Sequence, residues 1–310
     1  MSNLENIEYV VKHSKHVKIN KNRLEEFSKK FKSQKVSHYL DIENITNLNL
    51  NQVGLLLLIY TSLSFSFWQK PKWSITYKNE KYTGSYALIF SFLKQLKKNK
   101  DFFEIDNLNK ITKKQFKKIF SGENEIPLFE QRYNNFKEII LTIKNNYNNN
   151  FENILINSNY DAKNIINEII KTMPNFEDTS TYKNKKITFN KRIQLFINDL
   201  NMYLKLTNQK QITNLNYLFD LADYKIPMVL RTLKILEYDS KLENKIDNEI
   251  EIKQDSEEEI EIRASQIYVN QLLSKLINID ELKLNYQLWL LGKQKKYKLN
   301  PYHKTITTKY

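Results

Sequence analysis

Apolar side chains along this chain recur at helical spacing. Ile7, Val10 and Val11, then Leu24, Phe27 and Phe31, then Phe129, Tyr133, Phe136, Ile140 and Ile143 each trace one face of a helix. Ile165, Ile166, Ile169, Ile170 and Met173 form a further stripe, and Ile193, Phe196, Ile197, Leu200 and Leu204 another. Ser256 followed by Glu259 predicts a capping box opening a helix through Ile260, Ala264 and Ile267. Period two occurs at Trp73–Tyr77, which Lys78-Asn79-Glu80 separates from Lys81-Tyr82-Thr83, the pattern of a β-hairpin. The most apolar run, Leu55 to Trp68, is too short and too rich in hydroxyls to cross a bilayer and reads as core. The expectation is a mainly α protein, a single helical domain over residues 1–310 with a small β-hairpin. The Asn145–Asn150 tract and the acidic run Asp255–Glu259 read as a loop or a helix start.

Composition narrows the chemistry. The chain has 310 residues, with 49 Lys and Arg against 35 Asp and Glu, a formal net charge of +14, and aromatics at 13%, enough ring area for a substantial core. Without cysteine there are no disulfides, thiolate metal sites or Cys nucleophiles, and a reducing compartment, the cytoplasm by default, fits. The start of the sequence shows neither a basic segment nor an apolar one of the secretory kind. The four glycines, at positions 54, 84, 122 and 292, lie too far apart for a Gly-rich phosphate loop or a GxSxG elbow. Of four histidines, at 13, 16, 38 and 303, only His13 and His16 have a ligand-like spacing, better read as a solvated helix face than as a metal site. Carboxylates remain as the plausible catalysts.

Three stretches invite a functional reading. In Tyr217–Arg231 a helical run is expected to end near Ala222, with Pro227 opening the next helix, so that Asp223 sits at a corner beside a helix N-terminus with Lys225 and Arg231 close in sequence. Asp223 there either caps the helix or pairs with Lys225, or is aimed into a cleft as a catalyst. In Thr188–Gln194, Lys191 and Arg192 place cations at a helix start, against the macrodipole, which suggests a compensating anion such as a ligand phosphate, or a solvated pair. Ser64-Phe65-Ser66-Phe67-Trp68 interleaves hydroxyls with rings that could stack a base or simply fill core.

The ordered set Phe65–Trp68, Tyr82–Leu88, Ile126–Arg132, Phe189–Gln194, Ala222–Arg231 and Glu259–Arg263 resembles the queuosine salvage family, queuosine 5′-phosphate N-glycosylases/hydrolases, from about Tyr9 to His303. The resemblance implies an all-α fold related to helical DNA glycosylases, no metal or organic cofactor, and hydrolysis of queuosine 5′-monophosphate to queuine and ribose 5-phosphate for tRNA modification. It implies Asp223 as the catalytic residue, in Ala222-Asp223-Tyr224-Lys225, and Lys191 on the phosphate side. Phe65, Phe67, Trp68, Tyr224, Lys225, Arg231, Trp289 and His303 complete the expected substrate-binding set. The chain departs from the family pattern at Leu290, where the family has a base-reading Asp that Asn285 or Glu281 would have to replace, and also at Asn190, Lys225, Ser64, Ala264 and in the tail after His303. The expected partner is the nucleotide, with a monomer, no membrane and no direct tRNA binding. The rival reading is a basic nucleic-acid-binding or DNA-glycosylase-like protein, carried by the net charge and by Lys293, Lys295, Lys296, Lys298, Lys304 and Lys309.

Overall fold

A computed structural model describes residues 3–33, 45–294 and 298–310; His38, Lys295 and Lys296 lie outside the described residues. The helices are α1 (Asn3–His13), α2 (Lys21–Lys30), α3 (Leu50–Ser62), α4 (Gly84–Lys98), α5 (Ile105–Asn109), α6 (Lys113–Ile119), α7 (Phe129–Asn146), α8 (Glu152–Asn157), α9 (Ala162–Thr172), α10 (Lys191–Leu206), α11 (Lys225–Thr232), α12 (Ser240–Asp247), α13 (Glu257–Ile277) and α14 (Glu281–Leu291). The mainly α expectation therefore holds, and among the described residues no helix is long and apolar enough to cross a membrane.

Local chemistry sets the helix starts. α3 opens on a complete capping box, the Asn49 side chain accepting from the Gln52 N–H at 2.9 Å while Gln52 Oε1 accepts from the Asn49 N–H at 3.3 Å. At α13 only half of the expected box forms. Ser256 Oγ accepts from the Glu259 N–H, but the Glu259 carboxylate turns to the Asp255 N–H and to Arg263. The Asn tract ends α7, and Asn148 and Asn149 take left-handed conformations, which asparagine tolerates.

The expected hairpin is present as β2 (Ser74–Tyr77) and β3 (Glu80–Thr83), joined by a turn in which Lys78 and Asn79 both have positive φ, the I′ geometry that matches strand twist. Two further antiparallel pairs were not expected from the pattern. β4 (Thr179–Tyr182) pairs with β5 (Lys185–Thr188), and β1 (Val17–Ile19) pairs with β6 (Leu236–Tyr238) from the far part of the chain. At three or four residues each, these strands are too short for an alternating pattern to stand out.

The apolar side chains gather into three packed groups. The largest centres on α3, with α4, α7, α9 and α10 around it. Gly54 on α3 permits this packing: a Cβ there would fall 2.0 Å from the Phe151 ring. A second group joins α2, α11, α12, α13 and α14, and a third joins α1 and the β4–β5 hairpin to α13. The start of α10 and the segment before α11 lie where these groups meet.

Candidate active site

The segment before α11 is not the helical run expected there. Apart from a short 3₁₀ turn at Leu215–Tyr217, the stretch is irregular, and residues 218–223 belong to no helix or strand. Buried side chains replace the missing helical hydrogen bonds, since every buried peptide group needs a partner. Gln194 Oε1 accepts from the Phe219 N–H at 2.7 Å, and Gln266 and Asn285 both donate to the Leu221 carbonyl. The carboxylate of Asp220 accepts from Asn270 (2.6 Å) and Asn285 (2.7 Å) at Oδ1 and from Gln266 (2.8 Å) at Oδ2. Burial pushes this carboxyl up to about 8, against the hydrogen bonds from Asn285 and Gln266 and with the charges of Glu281 and Asp223 adding to the rise.

Asp223 follows, half-buried, its N–H donating to Gln266 Oε1 at 3.2 Å. Its Oδ1 accepts from the Lys225 N–H (2.7 Å) and the Ile226 N–H (3.2 Å), the free donors that open α11. Oδ2 accepts no hydrogen bond among the described residues. Of the readings open from the sequence, capping is thus true of one oxygen.

The start of α10 resolves the cation pair. Asn190 takes a left-handed conformation, and Asp178 supplies the missing cap: its Oδ2 accepts from the Lys191 N–H at 3.2 Å and its carbonyl from the Phe189 N–H at 2.8 Å. The compensating anion at this helix start is therefore a residue of the chain itself. Arg192 is fully buried, donating to the carbonyls of Ser62 and Asn175, and belongs to the framework. Lys191 is different, because its ammonium has no hydrogen-bond partner among the described residues. Burial draws its pKa down, while Asp223, close enough to act through its charge, opposes that, and Arg192 and Arg263 deepen it. Lys225 is likewise lowered by burial, then by Lys72, against Asp223.

Rings adjoin this corner. Tyr224 lies 5.1 Å from Tyr302, over which Lys225 sits at 4.6 Å, and Tyr224 reaches the backbone of Phe67. Phe67 is half-buried, 6.3 Å from Trp73, and rests on Gly84, whose φ of +62° favours glycine. Trp68 is half-buried and donates to the Thr305 carbonyl. Phe65, by contrast, is buried beneath the guanidinium of Arg132 at 4.1 Å, and is core. Trp289 meets Tyr86 edge-on at 5.5 Å, stacks near Tyr286, and lies under Lys293 at 3.6 Å; Lys293 in turn is near enough to Lys225 for their charges to repel. Two rings missed at the sequence level, Tyr86 and Tyr302, thus line up with the expected ones, as does Lys293, which the sequence offered only as part of a basic tail. Of the two rings, only Tyr86 carried a signal, inside the Tyr82–Leu88 motif.

Other expected residues have different surroundings. Arg231 forks onto Asp247 (2.7 and 3.0 Å) and Glu243 (2.9 Å) of α12. His303 is buried against the Tyr310 hydroxyl at 3.2 Å, its pKa drawn down to about 3 by burial and then by Arg263, so it is neutral. Leu290 is half-buried on α14, Asn285 is engaged by Asp220, and the Glu281 carbonyl accepts from Asn270. His13 stacks on Tyr9 and His16 bonds Asp239, so the pair does not converge; among the described residues no group of three ligating side chains could hold a metal. Within the basic tail Lys304 pairs with Glu249 and Lys309 with Asp255, so the tail is not a free cationic strip.

Residues 49–310 match the family described as queuosine salvage protein. Curated proteins named queuosine 5′-phosphate N-glycosylase/hydrolase are similar along most of the chain. The one from Sphaerobacter thermophilus is 30% identical over 82% of this chain and 80% of its own length, and that from Dictyostelium discoideum is 28% identical over 96% and 95%. The mouse protein of the same name is 23% identical over 80% and 79%. Matched by the family over residues 49–310 and 30% identical to one of its curated members across most of its length, this chain belongs to the queuosine salvage protein family.

Proposed function

We propose that this chain hydrolyses the N-glycosidic bond of queuosine 5′-monophosphate, releasing queuine and ribose 5-phosphate for queuine salvage. The observation that carries the reading is the division of labour within Asp223: Oδ1 is fixed by two N–H donors at the head of α11, leaving Oδ2 without a partner among the described residues and beside a cationic cluster. Departure of the base develops oxocarbenium charge on the ribose, which an ionised carboxylate offsets while it takes a proton from the attacking water. The C1′–N bond breaks, the base nitrogen is protonated, and the water oxygen joins C1′. Lys191 meets the 5′-phosphate, with Lys225 nearby, and Phe67, Trp68, Tyr224 and Trp289 bracket the flat heterocycle. The reaction as drawn uses no metal or organic cofactor. On this reading the whole chain works as one helical unit in the cytoplasm, its fold related to helical DNA glycosylases, as a monomer that acts on the free nucleotide and not on tRNA. Mass spectrometry after incubation tests it. Queuine and ribose 5-phosphate from the nucleotide, with queuosine-containing tRNA left intact, is the expected result; an unchanged nucleotide would overturn the reading.

A further inference from the structure

One buried side chain, unassigned by the reasoning above, touches both ends of the proposed machinery. Arg263 on α13 is fully buried, and its guanidinium forks onto Asp178, Nη1 to Oδ1 at 2.9 Å and Nη2 to Oδ2 at 2.7 Å. The same Asp178 Oδ2 caps α10 at the Lys191 N–H. Nη2 also reaches the carbonyl of Ala222, the residue before Asp223, at 3.4 Å. The faces of the guanidinium are held by Phe189 at 3.9 Å and Tyr310 at 4.3 Å, and Glu259 approaches Nη1 at 3.5 Å. A buried ion pair contributes little net stability over well-packed hydrocarbon, so stability alone gives no reason for this arrangement. What a planar fork supplies, and hydrocarbon does not, is fixed direction at two acceptors at once.

We propose that Arg263 is a positioning residue for the reaction, setting the spacing between the Lys191 ammonium and Asp223 Oδ2 through Asp178 on one side and the Ala222 carbonyl on the other. The inference rests on the proposed function. It places Arg263 behind the reacting groups: it orients the corner from which the carboxylate faces the ribose and the helix start from which the lysine faces the phosphate. Misplacement of reacting groups by about 1 Å lowers rates by up to about 10²-fold.

The test uses Arg263→Lys, which keeps the charge but cannot span Asp178 and Ala222 together. With fold checked by circular dichroism, kcat and KM are measured on queuosine 5′-monophosphate and on the unphosphorylated nucleoside. The expected result is a fall in kcat of about tenfold or more, together with a reduced preference for the nucleotide over the nucleoside. In a Lys191→Ala background, Arg263→Lys should lower kcat but change that preference no further, a dependence that mere loosening of the core would not produce. A folded Arg263→Lys enzyme with wild-type kcat, or with reduced kcat and unchanged preference in both backgrounds, overturns the proposal. Should that variant fail to fold, Asp178→Asn, near-isosteric and still able to accept from the Lys191 N–H, is measured in the same way. Expected then is a smaller loss of the same two quantities, and wild-type values overturn the proposal. Wild-type protein that releases no queuine from the nucleotide defeats the proposed function itself, which separates the two failures.

Discussion

α3 and α13 are both buried on nearly every side, yet they are built from opposite materials. From Val53 through Ile59, α3 presents only glycine and hydrocarbon to its neighbours. Along α13 the buried residues include Glu259, Glu261, Arg263, Gln266 and Asn270, each with a partner distant in the chain. Glu261 receives the hydroxyls of Ser14 and Tyr182 and the N–H of His16, Arg263 holds Asp178, and Gln266 and Asn270 hold Asp220. Burial of hydrocarbon is non-directional and demands only a filled volume. A buried polar group is costly unless a partner stands in the right direction, so a helix of such groups fixes orientation as well as position. The candidate catalytic corner lies against the second kind of helix, where orientation matters.

The largest separation of the two regions should come from Asp223→Asn. The amide keeps an acceptor for the head of α11 but cannot offset oxocarbenium charge, so turnover of the nucleotide should fall by about 10²-fold or more while the unfolding midpoint hardly moves. Near-wild-type turnover in a folded variant would remove Asp223 from its role. Leu57→Ala, on α3, should do the reverse: a loss of about 2–5 kcal/mol in urea unfolding, with kcat of the remaining folded enzyme preserved. If instead kcat collapsed, the two helices would not divide their tasks as described.

Lys191→Ala should weaken handling of the 5′-phosphorylated substrate by about 1.5–3 kcal/mol, read as KM, with little effect on the nucleoside. Equal effects on both would make Lys191 structural. A pH experiment reaches the polar helix directly. Because the Asp220 carboxyl is raised from 3.8 to about 8 in the folded state, the folded protein binds more protons than the unfolded chain between those values. Its contribution to stability therefore falls as pH rises through that window, by at most about 1.4 kcal/mol per unit. Asp220→Asn should lack this fall, so the wild type should lose stability relative to the variant from pH 5 to pH 8; a constant difference would contradict it. The smallest effect is expected at Leu290, whose apolar side chain cannot accept a hydrogen bond from the base. Leu290→Asp should raise the preference for queuosine 5′-monophosphate over purine nucleotides, by about tenfold for one such contact. Unchanged preference would show that position 290 does not face the base.

Much of the polar helix was invisible beforehand for a definite reason. Glu261 and Arg263 look like surface residues of an acidic helix start, and only their partners, the turn at Ser14–His16 and Asp178, make them interior. The β1–β6 pair is hidden in the same way, since each strand is three residues long and its partner is remote. The resemblance points to Asp223 and Lys191, but the irregular backbone at 218–223 is unreadable in the sequence, because it depends on Gln194, Gln266 and Asn285 replacing the helical bonds.

The sequence by itself determined the helical class, the hairpin at Ser74–Thr83, the absence of thiol and Gly-loop chemistry, and the presence of a carboxylate at the head of α11. These are properties of residues within a turn or two of each other, where spacing and φ preference decide. Only the tertiary structure decided that Asp178 is the anion at the start of α10, that Arg231 and His303 are engaged elsewhere, and that one oxygen of Asp223 has no partner among the described residues. A buried polar atom takes its direction from whichever partner reaches it, and here those partners come from segments far apart in the chain.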